Sequence, residues 1–156
     1  MAIAPNTTFV SGAILTAAQM NALPWGIVAI ATSPTTVTYT TTETVALTTG
    51  SFTAVANRYY RITYCEPTAS VPGGAGNYFI TRLRLTNLAG TQIAQGQAQA
   101  TGATQAASNN TLVFVSTLSA GSTVIVATVQ TNTATSPFYR AANGPAILTV
   151  EDIGPA

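Results

Sequence analysis

The chain has 156 residues with five Arg, four acids, no Lys and no His, so charged residues make up 6% of it where about 25% is ordinary for a soluble protein. A net charge of +1 provides no basic footprint for nucleic acid, and the apolar stretches are broken by Thr, Ser and Pro well short of the roughly 18 residues of a membrane span. One Cys and no His cannot make a zinc site, and a lone Cys65 leaves no intrachain disulfide.

Residues 1–12, MAIAPNTTFVSG, read either as an extended arm anchored through Phe9 or as a frayed terminus. They carry no basic segment of the kind that opens a secretion signal. The next stretch, LTAAQMNALPWG at 15–26, holds the one convincing helix signal. Thr16 is placed as N-cap with Gln19 as its capping-box partner, Leu15 and Met20 form the matching hydrophobic staple, and Pro24 ends the helix. About seven helical residues cannot persist alone in water, so this turn must dock on something. Residues 1–26 are therefore expected to form an arm and docking helix, and 27–156 a β-sandwich domain.

From Ile27 onward the signals are those of strands and turns. Ile27–Ala31 is a short apolar run, and Ser33–Thr44 is Thr-rich with Val37 and Tyr39 alternating against polar neighbours. Asn57–Glu66, NRYYRITYCE, is the clearest strand, with Tyr60, Ile62 and Tyr64 on one face; Cys65 reads as a small buried hydrophobe, and Pro67 ends the strand. Pro67–Asn77 is a surface loop. Tyr78–Thr86 places Phe79, Thr81, Leu83 and Leu85 on one face. If these two strands pair antiparallel, Arg61 lies near Arg82 or Arg84.

Thr91–Ala100 is a strand of small and polar residues with Ile93 as its one large hydrophobe, and 101–110 is a loop. Thr111–Leu118 and Ser122–Val129 are β-branched strands joined by a tight turn at 119–121. Thr131–Pro145 is a longer loop, and Ala146–Ile153 closes the domain with Ile147 or Leu148 directed inward. Eight or nine short strands without helical period after residue 23 predict an all-β fold, an antiparallel sandwich of jelly-roll type. Its inward face is assigned to Ile62, Leu83, Leu85, Val113, Val115, Val124 and Val126.

Catalytic chemistry draws mainly on His, Glu, Asp, Lys, Cys and Tyr, and His and Lys are absent. The carboxylates are Glu43, Glu66, Glu151 and Asp152; the last two are adjacent on a strand and point to opposite faces. A glycosidase needs two carboxyl groups facing one cleft. PGGAG lacks the G-K-[ST] of a phosphate loop, and no D-x-D-x-D-G run offers a calcium loop. The expectation is a protein that is not an enzyme and needs no cofactor or metal. Tyr59, Tyr78, Phe138 and Tyr139 are candidates for stacking on sugar rings, with strand packing as the competing role. The 29 Thr and 27 Ala leave a surface with little charge to keep copies apart, which favours self-association.

Two segments, LTAAQMNALPWG at 15–26 and LTVEDIGPA at 148–156, resemble short virion proteins of tailed bacteriophages. TLSAGSTVIVATVQ at 117–130 resembles the hairpin of trimeric jelly rolls of the tumour-necrosis-factor and C1q type. The resemblance implies a homotrimeric head-decoration, head-fibre or tail-fibre protein, found in the virion and assembled in the host cytoplasm. Other virion proteins of capsid or tail would be its partners, contacted through Phe9, Leu15, Met20, Leu23 and Trp25. The alternative is a receptor-recognition tip that binds a host-surface glycan.

Overall fold

The computed structural model describes residues 12, 14, 16–21, 23–71, 74–99, 106–133 and 136–156. Among the described residues one turn of helix, α1 (Ala17–Asn21), precedes twelve strands: β1 (Gly26–Ser33), β2 (Val37–Tyr39), β3 (Thr44–Thr48), β4 (Phe52–Ala54), β5 (Arg58–Val71), β6 (Tyr78–Leu85), β7 (Gln92–Gln99), β8 (Ala106–Thr117), β9 (Gly121–Thr123), β10 (Ile125–Thr131), β11 (Ser136–Phe138) and β12 (Ala146–Pro155). No helix among the described residues is long and apolar enough to cross a membrane.

Eight strands form a jelly roll. The antiparallel pairs β1–β12, β3–β10, β5–β8 and β6–β7 are nested inside one another, so the chain runs as one long hairpin whose tip is the β6–β7 turn. Rolling that hairpin puts alternate pairs into opposite sheets, giving β1-β12-β5-β8 in one and β3-β10-β6-β7 in the other. Short β11 and β2 extend the first sheet beside the later part of β5, and β4 pairs with β9. At the tip, Gly90 is obligatory: a Cβ there would lie 1.6 Å from the Leu85 carbonyl oxygen.

The core fills the space between the sheets. Tyr60, Ile62 and Tyr64 of β5 with Leu148 and Val150 of β12 cluster with Leu83 of β6, Ile125 and Ala127 of β10, and Leu47 of β3. Each such large apolar side chain contributes about 1.5–3 kcal/mol on burial. A second cluster packs Phe138 edge-on between Tyr39 and Phe79, with ring centroids at 4.7 and 5.1 Å, backed by Ala69, Val71 and Val129.

Several expectations are corrected. Val113 and Val115 point outward, 53% and 48% exposed, while Leu112 and Phe114 face the core. That strand is apolar in both phases of its period-two pattern, and the larger pair, Leu112 and Phe114, takes the inside. Val124 lies between strands and is partly buried; Ile125 and Ala127 occupy the core positions instead. The segments around 111–118 and 122–129 do not form a hairpin, because β8 and β10 belong to opposite sheets. β5 and β6 are likewise in opposite sheets, so Arg61 faces Glu151 rather than Arg82 or Arg84. β5 does not end at Pro67: a register shift between Glu66 and Ala69 absorbs the proline, and pairing with β8 continues to Val71. β8 itself starts at Ala106, inside the expected 101–110 loop. Cys65 is partly exposed rather than buried.

Candidate functional site: the helix-docking joint

The capping box forms as the sequence dictates. Gln19 N–H donates to Thr16 Oγ1 at 3.2 Å, and Thr16 N–H donates to Gln19 Oε1 at 2.8 Å. The helix is five residues long, against about seven expected, because Leu23 closes a turn on Met20 and Pro24 follows. A single turn has no independent stability, so its position depends on what grips its far end.

Arg58, the first residue of β5, supplies that grip. Its Nη1 donates to Asn21 O, and its Nη2 donates to Leu23 O at 2.6 Å, satisfying carbonyls that a helix leaves unpaired at its C-terminal end. A cation is also the favoured sign there. The other side of the guanidinium forks onto Asp152 of β12, Nε to Oδ2 and Nη2 to Oδ1, the latter at 2.6 Å. Asp152 is wholly buried and accepts two further backbone N–H groups, Gly154 at 3.0 Å and Trp25 at 3.5 Å. Gly154 reaches back because the register shift between Asp152 and Gly154 places it at φ +116°, a conformation that favours glycine. The Trp25 ring lies on the guanidinium, with its centroid 4.4 Å from Arg58 Cζ. Hydrogen bonding to Asp152, outweighing burial, raises the Arg58 pKa above its already high ordinary value, so the joint is held by a permanent cation.

A cleft of about 350 Å³ opens beside the joint, lined by Asn21, Trp25, Val55, Ala56, Asn57, Arg58 and Pro155. Of the attachment residues expected from sequence, Phe9 and Leu15 lie outside the described residues. Met20 and Trp25 are about half exposed, at 49% and 50%, and Leu23 is partly buried. Ile14, which sequence reasoning passed over, is 93% exposed. Arg58 and Asp152 were also missed. Their signal was available: two adjacent acids on a strand force one inward, and a buried carboxylate in a chain without Lys or His requires an inward Arg.

The remaining charges are paired elsewhere. Arg140 and Glu66 form a buried ion pair, Nη2 to Oε2 at 2.8 Å, with Tyr64 donating its hydroxyl to Glu66 and Arg140 donating to the Tyr39 hydroxyl. Burial, countered in part by the Arg140 charge, pushes the Tyr39 phenol up to about 12, and burial drives Tyr64 well above its ordinary range. Glu43 is held by Arg82, Arg84 and the Thr128 hydroxyl; burial would raise its pKa, and the hydrogen bonds from Arg84 and Thr128 with the two positive charges lower it instead. Arg61 pairs with Glu151 on the outer face of the first sheet. All nine charged side chains are thus in ion pairs. Among the described residues no group of three or more His, Cys, Asp or Glu could hold a metal. Of the sugar-stacking candidates, Phe138 is fully buried and is excluded, Tyr59 and Tyr78 are partly buried in different sheets, and Tyr139 is exposed. No protein-family model matches the chain, and no curated protein is significantly similar to it.

Proposed function

We propose that the chain is a structural module of a tailed-bacteriophage virion, a decoration or fibre protein without enzymatic activity, whose N-terminal segment attaches a homotrimeric jelly-roll body to the particle. The observation that carries this reading is the joint. A helix too short to stand alone is clamped to the body by a buried Arg58–Asp152 pair, while Ile14, Met20 and Trp25 around it remain exposed. Such an arrangement orients an apolar surface rigidly without covering it, which suits docking onto a larger assembly. The pairing of every carboxylate with a guanidinium supports a structural role, since an acid so engaged is a poor proton carrier. Self-association is supported by the outer face of the first sheet, where Ile27, Ile30, Val113 and Val115 are exposed and the sole ion pair is Arg61–Glu151.

Deletion of residues 1–26 tests the assignment. The truncated protein should remain trimeric by light scattering and lose co-sedimentation with particles. A truncated protein that is monomeric yet still bound would overturn both the oligomeric and the anchoring parts, and one that is trimeric and still bound would overturn the anchoring alone.

A further inference from the structure

The cleft beside the joint has the chemistry of a small-ligand site, independently of where the protein resides. Its walls are fixed before any ligand arrives. Trp25 is held by Arg58 and by its N–H to Asp152, the Asn21 carbonyl by Arg58, the Val55 N–H by the Tyr60 hydroxyl at 2.8 Å, and the Asn57 carbonyl by the Ala156 N–H at 2.8 Å. Asn57 is further fixed in the left-handed region, at φ 60°. Little backbone freedom is left to be lost on binding, and only side-chain rotors remain to be ordered.

Against that rigid frame, the side-chain carboxamides of Asn21 and Asn57 make no hydrogen bond with any described residue, so both retain donors and an acceptor. One face of the Trp25 ring rests on the guanidinium, so its half-exposed area belongs to the other face and the edge. Val55, Ala56 and Pro155 add a small apolar wall. The cleft's single charge, Arg58, is already neutralised by Asp152, so neither an anion nor a cation is favoured. At about 350 Å³ the volume is at the small end for a ligand site and suits one compact molecule.

We infer that this cleft binds a neutral pyranose, with an N-acetylated hexose as its best-fitting form. The C–H face of the sugar stacks on Trp25, vicinal hydroxyls pair with the carboxamides of Asn21 and Asn57, and the acetamido methyl meets Val55, Ala56 and Pro155.

Trp25 is the single tryptophan of the chain and lines this cleft, so its emission responds to occupancy there. The full-length protein is titrated with N-acetylglucosamine, glucose and an uncharged apolar tetrapeptide while Trp25 emission is followed. A saturable change with the acetylated sugar at a Kd on the order of 1–10 mM, weaker for glucose and absent for the peptide, is expected. Asn57→Gly keeps the left-handed backbone and removes the carboxamide, and Asn21→Ala suits the end of a helix, so both variants retain the fold; each should weaken binding about tenfold. The inference is overturned if no sugar perturbs Trp25 up to about 100 mM, a range covering weak monosaccharide affinities. It is equally overturned if both variants bind as wild type, or if the peptide binds and the sugars do not, which would make the cleft a peptide socket.

Discussion

Replacing Arg58 by Leu strips the joint of its centre while leaving its hydrocarbon volume largely in place. Asp152, fully buried, would keep only the N–H groups of Gly154 and Trp25 as partners, and the carbonyls of Asn21 and Leu23 would lose theirs. Removing one member of a buried ion pair costs about 3–5 kcal/mol, because the survivor is left charged and unpaired. For a domain of this size each kcal/mol moves Tm by about 2–4 °C, so a fall of about 6–20 °C is expected. Urea unfolding followed by circular dichroism measures the loss in the body, and Trp25 emission reports the release of the joint. The double variant Arg58→Leu with Asp152→Asn removes the stranded charge and should recover about half of the lost stability, since the unpaired carboxylate dominates the cost. A single variant that loses less than about 1 kcal/mol, below the cost of an unpaired buried charge, would refute this account. So would a double variant less stable than the single one.

Stability should fall between pH 10 and about 12. Below pH 10 folded and unfolded chains both keep the Tyr39 proton; above it the unfolded chain releases the proton while the fold retains it up to about 12. The loss is on the order of 1 kcal/mol per pH unit, with buried Tyr64 acting in the same direction, and Tyr39→Phe should flatten the decline seen in alkaline urea titrations. Val113→Lys with Val115→Lys, both on the exposed face of β8, should leave circular dichroism nearly unchanged and break the proposed trimer into monomers by light scattering; a persisting trimer would place its interface elsewhere. Thr16→Ala removes one half of the capping box and should cost the helix about 1 kcal/mol, seen as faster exchange of the Gln19 and Met20 amides with no change in the Tm of the body. Dialysis against a chelator should leave Tm and assembly unchanged.

The alternation in NRYYRITYCE and YFITRLRL put Ile62 and Leu83 inward and grouped Tyr60, Tyr64 and Phe79 on the same faces, and all five are buried, because Arg61, Arg82 and Arg84 mark the opposite face of each strand. Where both faces are apolar, as at Leu112–Val115, the pattern carries no phase, and only packing against β5 decides. Local spacing suggested hairpins between neighbours. The nested pairing overrides it, since β1 finds its partner at the other end of the chain and no window of sequence records that contact. The helix start was legible because a capping box is local. For the clamp, the adjacent acids signalled only that one carboxylate turns inward onto an Arg; which Arg, and its reach to the helix, were not legible, because Arg58 meets carbonyls 35 and 37 residues before it and a carboxylate 94 residues after it.

That clamp also orders events in time. The first helix is gripped by Arg58, Arg58 is oriented by Asp152, and Asp152 is carried by the last strand of the roll. Contacts across such separations form late, since long loops must close before they are rewarded. A chain still being synthesised, or one whose β12 has not paired, therefore has no braced helix to present. Completion of the fold is in this way a precondition for bracing the helix, and a half-folded chain has no rigid joint.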